Sequence, residues 1–244
     1  MNKSAKVKLF IFFLLLTGGW IYTILYVDVA SIGPNNTSVG LATVNQWFRD
    51  LFFNSPNEYY EPIYKATEYV GYFALGCCVF MGCVGLFQLI KRKSLLKVDR
   101  PIIFTGILYV ITIGQYVMFE KVIINYRPVI MEGESAPEAS FPSSHTMLII
   151  VVMGSLIMLC GHYLNKKHPN ISAILQAIFV CLIAALVVGR LVCGVHWLTD
   201  IVGGILISAS LLALYSIFYV GRPKFYYEEE EEEPKKEEVK RRNK

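Results

Sequence analysis

The chain of 244 residues is 55% hydrophobic and only 17% charged, far more apolar than a soluble domain needs. A water-soluble protein is thereby excluded, and little sequence remains for a separate soluble domain. The formal net charge of +4 is unremarkable, and no nucleic-acid partner is expected.

Six stretches are long and apolar enough to cross a hydrocarbon core of about 30 Å as helices. They are Leu9–Tyr26, Ala66–Ile90, Ile102–Phe119, Thr146–Leu164, Ile171–Val188 and Ile201–Val220. Lys and Arg near span ends set orientation. They gather before the first span (Lys3, Lys6, Lys8), between the second and third (Lys91, Arg92, Lys93, Lys97, Arg100), between the fourth and fifth (Lys166, Lys167) and after the sixth (Arg222, Lys224). These are alternate connections, so they share one side. The expectation is an all-α bundle of six transmembrane helices with both termini cytoplasmic, and with 28–65, 120–145 and 189–200 on the outer side.

Residues 1–27 read as an uncleaved anchor, because the apolar run continues past Trp20 without a small-residue cleavage pattern. In the connection that follows, Val44, Trp47, Phe48, Leu51 and Phe52 fall on one helical face, with Thr43 and Gln46 placed for a capping box. The spacing predicts a short amphipathic helix, either lying in the outer interface and guiding lipid or packed as a lid. Asn35 to Ser38 hold overlapping glycosylation sequons, which matter only in a secretory pathway. Gly71, Gly76, Gly82 and Gly85 in the second span permit close helix packing. The basic connection 91–100 fixes topology and is also able to touch anionic lipid.

The third span ends in Glu120 to Pro128, where Lys121 and Arg127 are cations on the expected outer side. Snorkelling accounts for some such residues, and an anionic head group or substrate accounts for others. Next comes Phe141 to Thr146. Pro142, Ser143 and Ser144 read as a helix start whose free amides attract an anion, and His145 lies in that first turn. His162 and His168 read as solvated loop residues. From Gly189 the chain then places Arg190, His196 and Asp200 between two apolar segments. If Asp200 opens a helix, its carboxylate grips one nitrogen of His196 one turn earlier and leaves the other free. Taken alone, the run also fits a juxtamembrane ion pair with a snorkelling arginine.

The six cysteines, at 77, 78, 83, 160, 181 and 193, lie in or beside spans without zinc-type spacing, so neither disulfides nor a metal is expected. Residues 225–244 form a charged low-complexity tail expected to be disordered, leaving 1–224 as one membrane domain.

The segment from Lys121 to Asp200 resembles the type 2 phosphatidic acid phosphatase family, whose three motifs read K-x6-R-P, P-S-G-H and S-R-x5-H-x3-D. The resemblance implies a six-helix membrane enzyme with a site shared with vanadium haloperoxidases and bacterial acid phosphatases. It implies His196 as nucleophile forming a phosphohistidine, Asp200 orienting it, and His145 as the acid and then base. Lys121, Arg127, Ser143, Arg190 and the Ser144 amide would hold the phosphoryl group. Three positions depart from the motifs. Five residues, not six, separate Lys121 from Arg127, which turns Lys121 by about 100° on a regular helix. Ser144 stands for the motif glycine, and Gly189 for the motif serine.

The reading is a multi-pass phosphatase of the cell membrane that acts without a cofactor on a lipid monoester or isoprenoid diphosphate at the outer leaflet. Isoprenoid diphosphate, phosphatidate and phosphatidylglycerophosphate lead the substrates. The alternatives are a lipid phosphotransferase using the same histidine and a non-catalytic protein that binds anionic lipid. No obligate protein partner is evident.

Overall fold

The computed structural model describes residues 2–219, and the charged tail expected at 225–244 lies outside them. Among the described residues seven α-helices follow one another: α1 (Lys3–Tyr26), α2 (Ala42–Asp50), α3 (Glu61–Arg92), α4 (Arg100–Lys121), α5 (Ser144–Tyr163), α6 (Pro169–Val192) and α7 (Leu198–Phe218). All but α2 are long and apolar enough to cross a membrane, so the chain is an all-α bundle of six candidate spans. Among the described residues the rest of the regular structure is two 3-10 turns and two isolated bridges. Hydrocarbon demands this economy, because a helix satisfies its own backbone groups and an open strand does not.

Helix α7 is the hub. It packs against α1, α5, α4, α6 and α2, while α5 packs on α6, α3, α4 and α7. Pro62, Pro101 and Pro169 sit in the first turns of α3, α4 and α6, where a missing N–H loses nothing. Hydroxyls tie the spans together through Thr105–Tyr215 at 2.9 Å, Tyr109–Ser155 at 3.0 Å and Thr17–Ser210 at 3.2 Å. Asp99 binds α3, α4 and α5 at one end, accepting from Arg92 Nη1 (2.9 Å), Gln88 Nε2 (3.0 Å) and Tyr163 Oη (3.1 Å). The 32 residues of α3 run about 48 Å at 1.5 Å per residue, well beyond a bilayer core. Its first turns, ahead of the apolar stretch, reach the level of the site.

Several local expectations change. The helix expected around residues 44–52 is α2, but no Thr43/Gln46 capping box forms. Asp28 Oδ2 accepts from the Thr43 amide (2.8 Å), and Gln46 Nε2 donates instead to Asp50 (2.6 Å). The apolar face of α2 points out, with Val44, Trp47 and Leu51 exposed, while Asn45 and Arg49 are buried. His162 is no solvated loop residue: it lies in the last turn of α5, its ring 4.8 Å from that of Tyr163 and 6.2 Å from that of Tyr219. His168 is exposed, just before α6. Of the second-span glycines, Gly71 and Gly85 meet a neighbour, whereas Gly76 and Gly82 have no packing neighbour within 4 Å of an added Cβ among the described residues. Finally, α6 continues to Val192 and takes Gly189 and Arg190 into its last turn, so the turn to α7 is only 193–197.

Candidate active site

The five-residue turn between α6 and α7 carries His196. Gly194 makes it possible, with φ +84° and a Phe53 ring carbon 2.5 Å from where a Cβ would stand. Arg49 on α2 clamps the same turn, its Nη1 donating to the Gly194 carbonyl at 2.9 Å and its Nη2 to the Glu58 carbonyl at 2.8 Å. Asn45, also on α2, donates to Thr199 Oγ1 (3.0 Å) and accepts from the Thr199 amide (3.2 Å). The buried polar face of α2 therefore holds both sides of the histidine turn.

Asp200 is fully buried in the first turn of α7, where the helix dipole favours a carboxylate. Its Oδ2 accepts from the Trp197 amide (3.0 Å) and its Oδ1 from Asn125 Nδ2 (3.1 Å). His196 Nδ1 lies 3.7 Å from Asp200 Oδ2, too far for a hydrogen bond. The expected grip of carboxylate on imidazole is thus not closed by a hydrogen bond, while the carboxylate itself is held by Trp197 and Asn125. Neither ring nitrogen of His196 has a hydrogen-bond partner among the described residues. Burial, and then the charges of Arg190 and Arg127, push the His196 pKa well below 6.5, which leaves a neutral imidazole.

His145 is the second residue of α5. Its Nδ1 lies 2.5 Å from Arg190 Nη2, and since a guanidinium only donates, Nδ1 accepts and the ring proton sits on Nε2. Arg190 is the largest fully buried side chain among the described residues. Its Nη1 donates to Thr67 Oγ1 at 3.2 Å, its plane lies 4.9 Å from the Tyr64 ring centre, and its Nε has no partner among the described residues. Arg127 pairs through Nη2 with Glu138 at 3.1 Å, while its Nε and Nη1 are buried and unpartnered among the described residues. The arm carrying Arg127 is pinned twice: the Arg127 amide donates to the Glu138 carbonyl (2.9 Å), and Trp197 Nε1 donates to the Tyr126 carbonyl (2.8 Å).

A cavity of about 470 Å³ is bordered by Arg127, Ser144, His145 and His196, together with Tyr116, Glu120 and Phe141. A second, mostly apolar cavity of about 330 Å³ runs along α3, α4 and α5 past Tyr72, Leu75 and Ile113. Both share Tyr116, Ser144, His145 and Met147, so a polar chamber and an apolar groove meet at His145.

The structure therefore brings together seven of the eight expected site residues, in two tiers. Arg127, Ser144, His145 and His196 border the chamber, and Ser143, Arg190 and Asp200 are buried behind them. Lys121 is the exception. It ends α4 as an exposed residue outside the chamber wall, while its neighbour Glu120 faces in. The shortened spacing falls in the non-helical stretch 122–126 that follows α4. Ser143 corrects a second expectation: its hydroxyl caps no amide of α5 and has no partner among the described residues, while its own amide donates to the Asp200 carbonyl (3.1 Å). Among the described residues no three His, Cys, Asp or Glu side chains form a group suited to a metal ion. Asn125, Thr67, Tyr64, Asn45 and Arg49 were not legible as site residues. Only their polarity amid apolar neighbours marked them, and many structural residues share that mark.

Six apolar helices thus enclose a chamber bordered by Arg127 and two imidazoles, with an apolar groove beside it. The sequence profile of the PAP2 superfamily matches residues 73–224, and the chain belongs to that superfamily. A solved structure described as the first transmembrane PAP2 type phosphatidylglycerolphosphate phosphatase from Bacillus subtilis is similar, with a TM-score of 0.54 over 88% of this chain and 95% of that one. At 17% identity that likeness is one of fold. No curated protein matches the chain. Family and fold together support a lipid phosphatase.

Proposed function

We propose that this protein removes a terminal phosphate from a lipid phosphate or isoprenoid diphosphate at the outer leaflet, through a phosphohistidine on His196. One observation carries the reading: Arg127 Nε and Nη1 and both nitrogens of His196, on two residues that border one chamber, are buried without partners among the described residues, and Arg190 Nε and Ser143 Oγ are likewise unpartnered behind them. Buried donors left unsatisfied are costly, and a tetrahedral anion satisfies several at once.

The chemistry follows from the geometry. His196 Nδ1 is the nitrogen nearer Asp200, so Nε2 is free to attack phosphorus. The P–O bond to the lipid breaks as the new N–P bond forms, and His145, protonated on both nitrogens once the phosphoryl anion draws Arg190 away from Nδ1, gives its Nε2 proton to the departing oxygen and returns to the neutral imidazole. Water then attacks phosphorus, His145 takes a proton from it, the N–P bond breaks and inorganic phosphate leaves. Arg127 and Arg190 neutralise the charge spread over the equatorial oxygens, the task that a metal performs in kinases. Lys121, exposed and not bordering the chamber, is left out of this set. The groove beside His145 takes the start of the hydrocarbon chain. Isoprenoid diphosphate, phosphatidate and phosphatidylglycerophosphate fit equally as classes. The outer location rests on the lysines and arginines that mark the opposite connections.

The test is phosphate release by the purified protein across a panel of these lipids, with His196→Ala as control. Release by the parent chain and its loss in the variant is expected. Undiminished release by the variant overturns the reading, and label passing to a second lipid instead of to free phosphate identifies a phosphotransferase. Orientation is read separately: Glu134→Cys reacts with an impermeant reagent from outside, whereas protection there with labelling in 91–100 reverses the topology.

A further inference from the structure

Arg190 is held by residues that lie outside the three motif segments and ahead of residues 73–224. A guanidinium buried to this degree needs a partner for each donor and a face to rest on. Helix α3 provides the face and the partner for Nη1, while Nη2 meets His145 on α5 and Nε has no partner among the described residues. Tyr64 lies under the guanidinium plane, and Thr67 Oγ1 accepts from Nη1. The Thr67 hydroxyl has only one proton, which it donates to the Tyr64 carbonyl at 2.7 Å, so a lone pair is what it offers Arg190. One turn further along the same face, Gly71 presents bare backbone to His145: a Cβ there would stand 2.8 Å from His145 Cδ2. Positions 64, 67 and 71 are spaced by three and four residues, so a single stripe of α3 meets the arginine and the histidine that the arginine holds.

The fit between α3 and α6 sharpens the assignment. A Cβ at Gly189 would stand 2.5 Å from Thr67 Cγ2. Threonine is stiff about its first side-chain torsion, so its methyl does not move aside without swinging the hydroxyl away from Arg190. Gly189 and Thr67 are therefore one unit: the absent side chain on α6 makes room for the methyl whose position fixes the hydroxyl.

We propose that the Tyr64–Thr67–Gly71 stripe of α3 is a positioning surface that sets Arg190 and, through it, the ring of His145, and that Gly189 is kept bare to admit Thr67. The proposal rests on the acid and base role given to His145 above. Thr67 is a positioning residue, because it acts on the phosphoryl group only through Arg190.

The experiment uses the full-length protein in detergent micelles with dioleoylphosphatidate, alongside titration of inorganic phosphate by calorimetry. Thr67→Val keeps the shape and removes the acceptor, and is expected to lower kcat roughly tenfold and to weaken phosphate binding, a smaller loss than deleting a direct oxyanion donor. Thr67→Ser keeps the hydroxyl and retains most of the activity. Gly189→Ala lowers activity in the single variant. In the double variant Gly189→Ala with Thr67→Ser, the methyl that clashes is gone and the hydroxyl remains, so activity returns to within about threefold of Thr67→Ser, the non-additivity expected of contacting residues. A thermal midpoint measured on each variant separates misfolding from mispositioning. Thr67→Val with unchanged kcat and phosphate affinity, or a double variant no better than Gly189→Ala alone, overturns the proposal. The His196→Ala control keeps the two readings apart: an inactive control beside a fully active Thr67→Val sinks the positioning surface alone, and an active control sinks the proposed chemistry.

Discussion

Helices α6 and α7 adjoin in sequence, meet at the histidine turn and are both apolar enough to span a membrane, yet they occupy opposite environments. Half of the most apolar stretch of α7 is buried, 50% against 11% for α6. The difference lies in kind of residue, not in amount of hydrophobicity. The outer face of α6 carries Ile174, Ile178 and Val188, all exposed, whereas α7 turns Gly203, Gly204, Ser208 and Ser210 into the bundle. Lipid is as apolar as leucine, so burial between helices is marked by small residues that allow close approach and by hydroxyls that bond across. The site forms where that interior of α7 meets the buried arginine at the end of α6.

The sharpest way to break this contrast is at the end of α6. Arg190→Ala should lower kcat/KM by roughly a hundredfold to a thousandfold, the usual effect of removing a charge-stabilising donor from a dry site. Val188→Ala, two residues earlier and exposed, should leave kinetics within about twofold, the range of surface changes. Kinetics on the pair of variants decides it, and comparable losses from both would mean that α6 has no privileged inner face.

Next in size is packing. A Cβ at Gly203 would stand 2.2 Å from Phe141, whose ring is already held edge-on to Phe119 at 5.6 Å. Gly203→Ala should cost about 1–3 kcal/mol, as overpacking does. Gly76→Ala on α3, with no packing neighbour within 4 Å among the described residues, should cost nothing measurable. Thermal unfolding in one detergent compares them, and equal midpoints would contradict the account of α7 as the packed hub.

How much of this was legible in the sequence follows the same division. The six spans were readable because an apolar run of that length has few other uses, and the cations and histidines were readable because hydrocarbon tolerates them so poorly. Helical phase was not readable. Lys121 and Glu120 differ by one position, and of the two only Glu120 borders the chamber. Ser143 stands at the cap position, but its hydroxyl accepts from no amide of α5, and its own amide ties it to the Asp200 carbonyl. In α2 the apolar periodicity was correct, and its exposed apolar face fits the interfacial alternative better than the packed lid; the periodicity did not show that Arg49 donates to the Gly194 carbonyl and that Asn45 accepts from the Thr199 amide on the other face.

The two faces of α2 give a smaller effect. Arg49→Met removes two hydrogen bonds from a charged donor, one of them to the turn bearing His196, and should lower kcat several-fold, within the roughly 1.5–3 kcal/mol such bonds carry. Trp47→Ser, on the opposite exposed face, should leave the detergent-solubilised enzyme unchanged. Equal losses from both would remove the distinction between the two faces of α2.

The least perturbing probe is protonation. The His196 pKa is lowered in the folded chain, so between it and the unfolded value near 6.5 the unfolded chain binds more protons. This group therefore favours folding increasingly as pH rises through that window, and the contribution is lost as pH falls through the folded value. At about pH 6, where a free imidazole is mostly protonated, nitrogen NMR of the resting protein should show His196 neutral. A protonated ring at that pH contradicts the burial and the nearby arginines.

The central claim is that His196 bonds to phosphorus during turnover. Rapid base quench of the protein mixed with lipid carrying radiolabelled terminal phosphate tests it directly. Base-stable, acid-labile label on the peptide containing His196, absent from His196→Ala, is the expected result. Turnover that leaves no label there, or places it on another residue, contradicts the account.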